Sequence, residues 1–285
     1  MTQFFHDMMA YDFWRRAIAG GLIIAAVCSL LSVYVVLKRM AFIGQGISHS
    51  AFGGLALGAW LFAGTAAADA KIYATALVFC LAVAFLIAAT TRQSNLADDS
   101  VIGIFFVVSM AVGVIFFKLT PGYNRDLFSY LFGSIVALTA RELVVIAALG
   151  AGVALPLILL QKELLYYAFD EDMAAVSGLP VRFLHYFLLV TLSLMIIVSV
   201  RMVGIILVSA FLILPGSTAQ LVARRFRWMV ILSVVTGVTT TVAGLGISWA
   251  TDWPTGAAIV VVQFAVFCLV LLARRAQGAL SARYG

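Results

Sequence analysis

Charge is scarce in this chain. Asp, Glu, Lys and Arg together make up 11% of its 285 residues, and lysine occurs only four times. A soluble domain carries roughly 25% charged residues, so an ordinary soluble fold is excluded. No Gly-rich loop ends in Gly-Lys-Ser/Thr, which excludes a nucleotide-binding loop of that type within the chain. Cysteine is limited to Cys28, Cys80 and Cys268, each inside an apolar run and none close in sequence to another. That spacing speaks against a disulfide framework or a cysteine metal cluster and leaves small core-filling side chains. Carboxylates are missing from the middle of every apolar run, where an ion-coupled secondary transporter would need them. The net charge of +6 comes from short basic groups between apolar runs. These read as topology signals and not as a nucleic-acid surface.

What remains is apolarity, at 64% of residues. Nine runs approach the roughly 20 residues a spanning helix needs: 17–37, 42–68, 72–91, 101–117, 143–160, 183–200, 202–223, 228–251 and 255–273. The expectation is an all-α, polytopic membrane helical bundle forming a single domain over 1–285. Residues 127–140 are too short to cross and predict a re-entrant or periplasmic half-helix. Residues 4–14 are mixed and aromatic-rich, so the first span itself is expected to direct insertion. With the N-terminus outside, Lys38, Arg39, Arg92, Lys162, Arg182, Arg224, Arg225, Arg227, Arg274, Arg275 and Arg283 fall in the cytoplasm, eleven of the 18 basic residues. Arg15 and Arg16 pull the other way. The balance favours a cytoplasmic C-terminus.

Strongly polar groups inside such runs mark pathways more often than decoration. Gln45 and His49 are four residues apart and stack on one helix face, with Ser48 beside them. Imidazole is a metal ligand; a histidine bonded to a neighbouring helix is the structural alternative. Gly53, Gly54 and Gly58 follow and read as tight packing. His185 opens a span on the cytoplasmic side, where an interfacial role suffices, and His6 is terminal. Pro215, with Gly216, Ser217 and Thr218, interrupts the seventh span, either as pathway lining or hinge, or as a static kink. Asp98 and Asp99 precede the fourth span and are explained by capping.

The one sizeable cytoplasmic connection is 161–182. Asp170 suits an N-cap, Glu171 and Asp172 suit the positive end of a helix, and Gly178 with Pro180 supplies a stop. A short surface helix over about 170–181 is expected, and its acidic start opposes anchoring to anionic lipid. A docking surface for a partner is the better reading.

Three segments carry a resemblance. LKRMAFIGQGISHSAFGGLALG is similar to a basic turn and helix start that usually reads Gly-Asp-x-x-x-His-Ala, and AFDEDMAAVSGLPVR is similar to a coupling helix with Ala174, Ala175 and Gly178 in place. VGIILVSAFLILPGSTAQLVARR with GLGISWATDWPTGAAIVV resembles paired late helices ending in an Asp-x-Pro-x-Gly turn. Together they resemble the permease subunits of ATP-binding-cassette importers for manganese, zinc and iron, over nearly the whole chain. The resemblance implies a second permease copy, usually identical, two cytoplasmic ATPase subunits that bind the ATP, and an extracytoplasmic metal-binding protein. It implies no cofactor or enzymatic activity in this chain, only a transported divalent metal ion. His49 and Gln45 become metal-contacting residues, and Asp170, Glu171, Asp172, Ala174 and Gly178 become residues of the ATPase coupling. Gln45 stands where many relatives have aspartate, so a neutral amide replaces a hard carboxylate ligand. Asp252, in the TDWPTG turn, is the carboxylate expected to compensate or to gate entry, against a turn-forming role before Pro254. A permease for a metal chelate, of siderophore or cobalamin type, is the alternative substrate class. A membrane enzyme lacks a second catalytic group beside the histidine.

Overall fold

The computed structural model describes residues 11–63, 65, 68–94, 96–120 and 138–284. Eleven helices and no strand occur among them. In chain order they are α1 (Asp12–Leu37), α2 (Ala41–Leu61), α3 (Ala68–Gln93), α4 (Asp98–Leu119), α5 (Ala140–Leu159), α6 (Gln161–Phe169), α7 (Glu171–Val176), α8 (Val181–Phe211), α9 (Leu214–Val222), α10 (Phe226–Thr251) and α11 (Thr255–Tyr284). The half-helix expected over 127–140 lies largely outside the described residues.

Eight helical segments among the described residues are long and apolar enough to cross a membrane. The remaining expected span is α2, whose 21 residues are long enough at about 1.5 Å each. Gln45, Ser48, His49, Ser50 and five glycines set it apart from those eight. It ends at Leu61, short of the expected 68, where Thr65 turns its hydroxyl and N–H back to the Phe62 carbonyl.

α2 is wedged between α3 and α4, and its glycines make this possible. A Cβ on Gly54 would stand 2.7 Å from Ala76 Cα, and one on Gly53 would stand 2.6 Å from the Ser109 carbonyl. Both obstacles are backbone, which cannot rotate away, so only glycine lets the three helices approach this closely. α1 packs against α5, α9 and α10, and α8 bridges the two groups. Ser32 Oγ accepts from the Gly216 N–H at 2.9 Å and Ser233 donates to the Ser29 carbonyl at 2.7 Å. These cross-helix bonds satisfy polar groups that lipid could not.

The sixth and seventh spans are interrupted twice, and not at Pro215 itself. Gly204 has φ 80 and ψ 162, a conformation open to glycine that breaks α8 internally. Leu212 and Ile213 then separate α8 from α9, and Pro215 sits in the first turn of α9, where its missing N–H costs no hydrogen bond. The connection over 161–182 also differs from the single expected helix: α6 and α7 are separate, joined at Asp170, and α7 stops at Val176. Gly178, at φ 81, closes α7, with its N–H donating to the Ala175 carbonyl and the Leu179 N–H to the Ala174 carbonyl.

Candidate functional site

At one end of the bundle lie the end of α1, the starts of α2 and α4, the end of α3, the pair α6 and α7, and the start of α8. Two polar arrangements occupy that end.

The first is a cleft of about 400 Å³ between α2 and α4. Phe42, Gln45 and Gly46 line one wall; Asp99, Ser100, Ile102, Gly103 and Phe106 line the other. The four-residue spacing puts Gln45 Nε2 3.4 Å from His49 Nε2. The His49 ring meets Phe106 edge-on, with centroids 4.9 Å apart, which fixes its plane. His49 Nδ1 is buried and finds no hydrogen-bond partner among the described residues. Gln45 is exposed and His49 half-buried, whereas Ser48 is fully buried, turned about 100° away into the bundle. Ser48 therefore does not share the face of the pair.

Asp99 is the group that sequence reasoning missed. Asp98 and Asp99 sit in the first turn of α4, where capping sufficed to explain both. In the fold Asp99 lines the Gln45 cleft, while Asp98 lines a different cavity with His185. Its spacing to Gly103 and Phe106, on one helical face, was the available signal.

Asp252 is not brought to this cleft. It caps the far end of α10, exposed and in the left-handed region at φ 56. The start of α10 lies at the Gln45 end, since the Phe226 ring lies tilted against Tyr34 with centroids 6.0 Å apart. The 26 residues between span about 39 Å. Asp252 therefore cannot replace the missing carboxylate beside His49.

The second arrangement surrounds α7. Asp170 caps it, accepting from the Met173 N–H at 2.9 Å. Ala174 is fully buried against the bundle, whereas Asp172, Met173 and Val176 face outward, Val176 with 83% of its surface exposed. Glu171 turns inward: Lys38 Nζ lies 2.8 Å from one carboxylate oxygen and Arg92 Nη1 3.5 Å from the other. Lys38 also lies 3.9 Å over the Tyr167 ring. Tyr167 and His185 share a hydrogen bond of 2.7 Å between the hydroxyl and Nδ1, with His185 only 6% exposed. His185 is thus a core residue and not the interfacial one expected. Burial, reinforced by the Glu171 charge, raises the Tyr167 phenol far above its ordinary range, so it stays neutral at any physiological pH.

A helical membrane bundle with a cleft at one end, edged by Gln45 and Asp99, and a short helix presented beside it has the form of a transport permease. Residues 10–274 match the model of the ABC 3 transport family, and the chain belongs to that family. It is a multi-pass membrane permease and not itself an enzyme; ATP hydrolysis belongs to a separate subunit. It is 31% identical over 281 residues to the manganese transport system membrane protein MntC of Halalkalibacterium halodurans, covering 99% of this chain and 94% of that protein. It is 34% identical to the chelated iron transport system membrane protein YfeD of Yersinia pestis, covering 93% and 87%. Among solved structures it resembles PsaBC from Streptococcus pneumoniae in complex with Fab, with a TM-score of 0.81, 30% identity and 94% of each chain covered.

Proposed function

We propose that this chain is the membrane permease of an ATP-driven importer of divalent transition-metal ions. The observation that carries the reading is the Gln45–His49 pair on α2, an imidazole beside a residue that lines the α2–α4 cleft together with the Asp99 carboxylate. Relatives named for manganese and iron transport support the substrate class.

One copy cannot complete the site. A transition metal takes four to six donors, and the pair offers two. No group of three His, Cys, Asp or Glu side chains able to hold a metal occurs among the described residues. Two copies facing each other across α2 and α4 supply four donors, so the working unit is a pair of permeases with the metal passing between them. Gln45, as a neutral ligand, lowers the preference for hard manganese relative to an aspartate at the same place. A water-free carboxylate relay is not available within the spans, since the carboxylates of the described residues stand at helix ends. Energy is therefore taken from ATP hydrolysed by cytoplasmic subunits docked on the outward face of α7, where Asp172, Met173 and Val176 are exposed. In this orientation the Lys38 end and the C-terminus are cytoplasmic, and an extracytoplasmic binding protein delivers metal at the Asp252 end, in the cytoplasmic membrane of a bacterium.

Reconstitution of the chain with its ATPase in liposomes tests the proposal. ATP-dependent accumulation of free zinc, manganese or iron supports it. Accumulation only of an iron or cobalt chelate moves the substrate class to the metal-chelate alternative, and uptake driven by an ion gradient without ATP overturns the coupling.

A further inference from the structure

Glu171 is the first residue of α7, and its side chain, still 40% exposed, is held between two cations. Lys38 is the C-cap of α1, and Arg92 lies in the last turn of α3. The Lys38 side chain is only 14% exposed and is covered by the Tyr167 ring. On its other side Glu171 is its ion-pair partner, at 2.8 Å.

The chain continues from each cation into one wall of the α2–α4 cleft. After Lys38 comes a closed turn in which the Arg39 N–H donates to the Val36 carbonyl at 3.1 Å and the Met40 N–H to the Val35 carbonyl at 3.0 Å. Arg39 holds φ 57 there, a left-handed conformation without the freedom of glycine. That doubly bonded turn joins Lys38 to the start of α2 in two residues. Ala41 starts α2 directly after it, and Gln45 and His49 lie in the first turns of that helix. After Arg92 the chain runs to Asp98 and Asp99 at the start of α4. A polar cavity of about 220 Å³, lined by Lys38, Arg92, Asp98, Glu171 and His185 among others, leaves these groups room to shift together.

We infer that Glu171 is a positioning residue that converts movement of α7 into movement of both cleft walls. Pulled by α7, its carboxylate draws Lys38 and Arg92, and with them the starts of α2 and α4, so the cation path opens or closes in step with the partner. This rests on the reading of α7 as the ATPase docking helix. It separates two roles within one acidic run: Asp172 faces the partner and Glu171 faces the bundle.

The test uses the complete permease–ATPase complex in liposomes, with ATP hydrolysis and uptake of the transported metal read from the same sample. Lys38→Met keeps an apolar stem over Tyr167 and removes the charge; Lys38→Arg keeps the charge; Glu171→Gln keeps the size of the carboxylate. The expected result is a complex of normal yield in which Lys38→Met and Glu171→Gln retain hydrolysis but lose metal moved per ATP by about tenfold, within the range usual for intersite coupling. Lys38→Arg restores that ratio. The inference is overturned if metal moved per ATP stays at the wild-type value, if Lys38→Arg behaves as Lys38→Met does, or if both neutral variants fail to assemble, which makes the ion pairs a structural clamp only. Failure of the unaltered complex to carry any metal is a separate result and counts against the metal-importer reading itself.

Discussion

At His49 one ring nitrogen lies near Gln45 and the other is buried without a partner among the described residues. An imidazole left half-satisfied in an apolar helix is costly as a purely structural group, and a metal ion is a partner that removes that cost. His49→Ala is expected to abolish metal uptake while membrane insertion and complex yield stay normal, as measured by radiolabelled uptake beside detergent extraction. Gln45→Asp restores a charged oxygen donor. A hydrogen bond or ligand contact to a charged group is worth about 1–2 kcal/mol more than a neutral one, so manganese affinity is expected to rise roughly tenfold relative to zinc in competition uptake. An unchanged zinc-to-manganese ratio would remove Gln45 from the ligand set. Asp99→Asn tests the residue that the cleft adds: transport is expected to slow with its metal dependence shifted to higher concentration. The Gln45–His49 spacing could be read from sequence because helical period alone puts the two side chains together. Asp99 left a weaker signal, its helical spacing to Gly103 and Phe106, which an acid in a first helical turn masks because capping already explains it.

Among the elements, α2 shows why sequence reasoning placed spans well and their breaks less well. Long apolar runs dictate membrane helices almost independently of tertiary context. A break depends on which single residue leaves the helical region, and Gly204 was one glycine among many until its φ of 80 marked it. Pro215 drew notice because proline usually ends a helix, yet here it begins one. The glycines of α2 do the packing that their small size suggested. Gly54→Leu places side-chain atoms where Ala76 backbone stands and is expected to destabilise the permease by about 1–3 kcal/mol, read as a fall in thermal unfolding temperature in detergent. On α7, the outward side chains Asp172, Met173 and Val176 define a small amphipathic surface. Met173→Glu combined with Val176→Glu is expected to weaken capture of the ATPase subunit in co-purification. A normal yield would move the docking surface elsewhere.

For the whole molecule, the proposed site draws only two donors, Gln45 and His49, from one chain beside the α2–α4 cleft. The bundle has the Gln45 cleft and α7 at the same end, with Glu171 between α7 and the Lys38 and Arg92 side chains, and its Asp252 turn at the other. That arrangement suits a pathway in which metal enters far from the energy-coupling apparatus and leaves beside it. The family resemblance legible in three motifs extends over residues 10–274. The pairing of two copies leaves little trace in one sequence: the exposed apolar face of a membrane helix looks the same whether lipid or a second copy covers it. The most direct test of the account is ATP-dependent uptake of zinc, manganese and iron by liposomes holding the permease with its ATPase, compared with the His49→Ala permease assembled in the same way. The account predicts accumulation of at least one of these ions by the unaltered complex and none by the variant; equal accumulation by both would place the metal path away from His49 and contradict it.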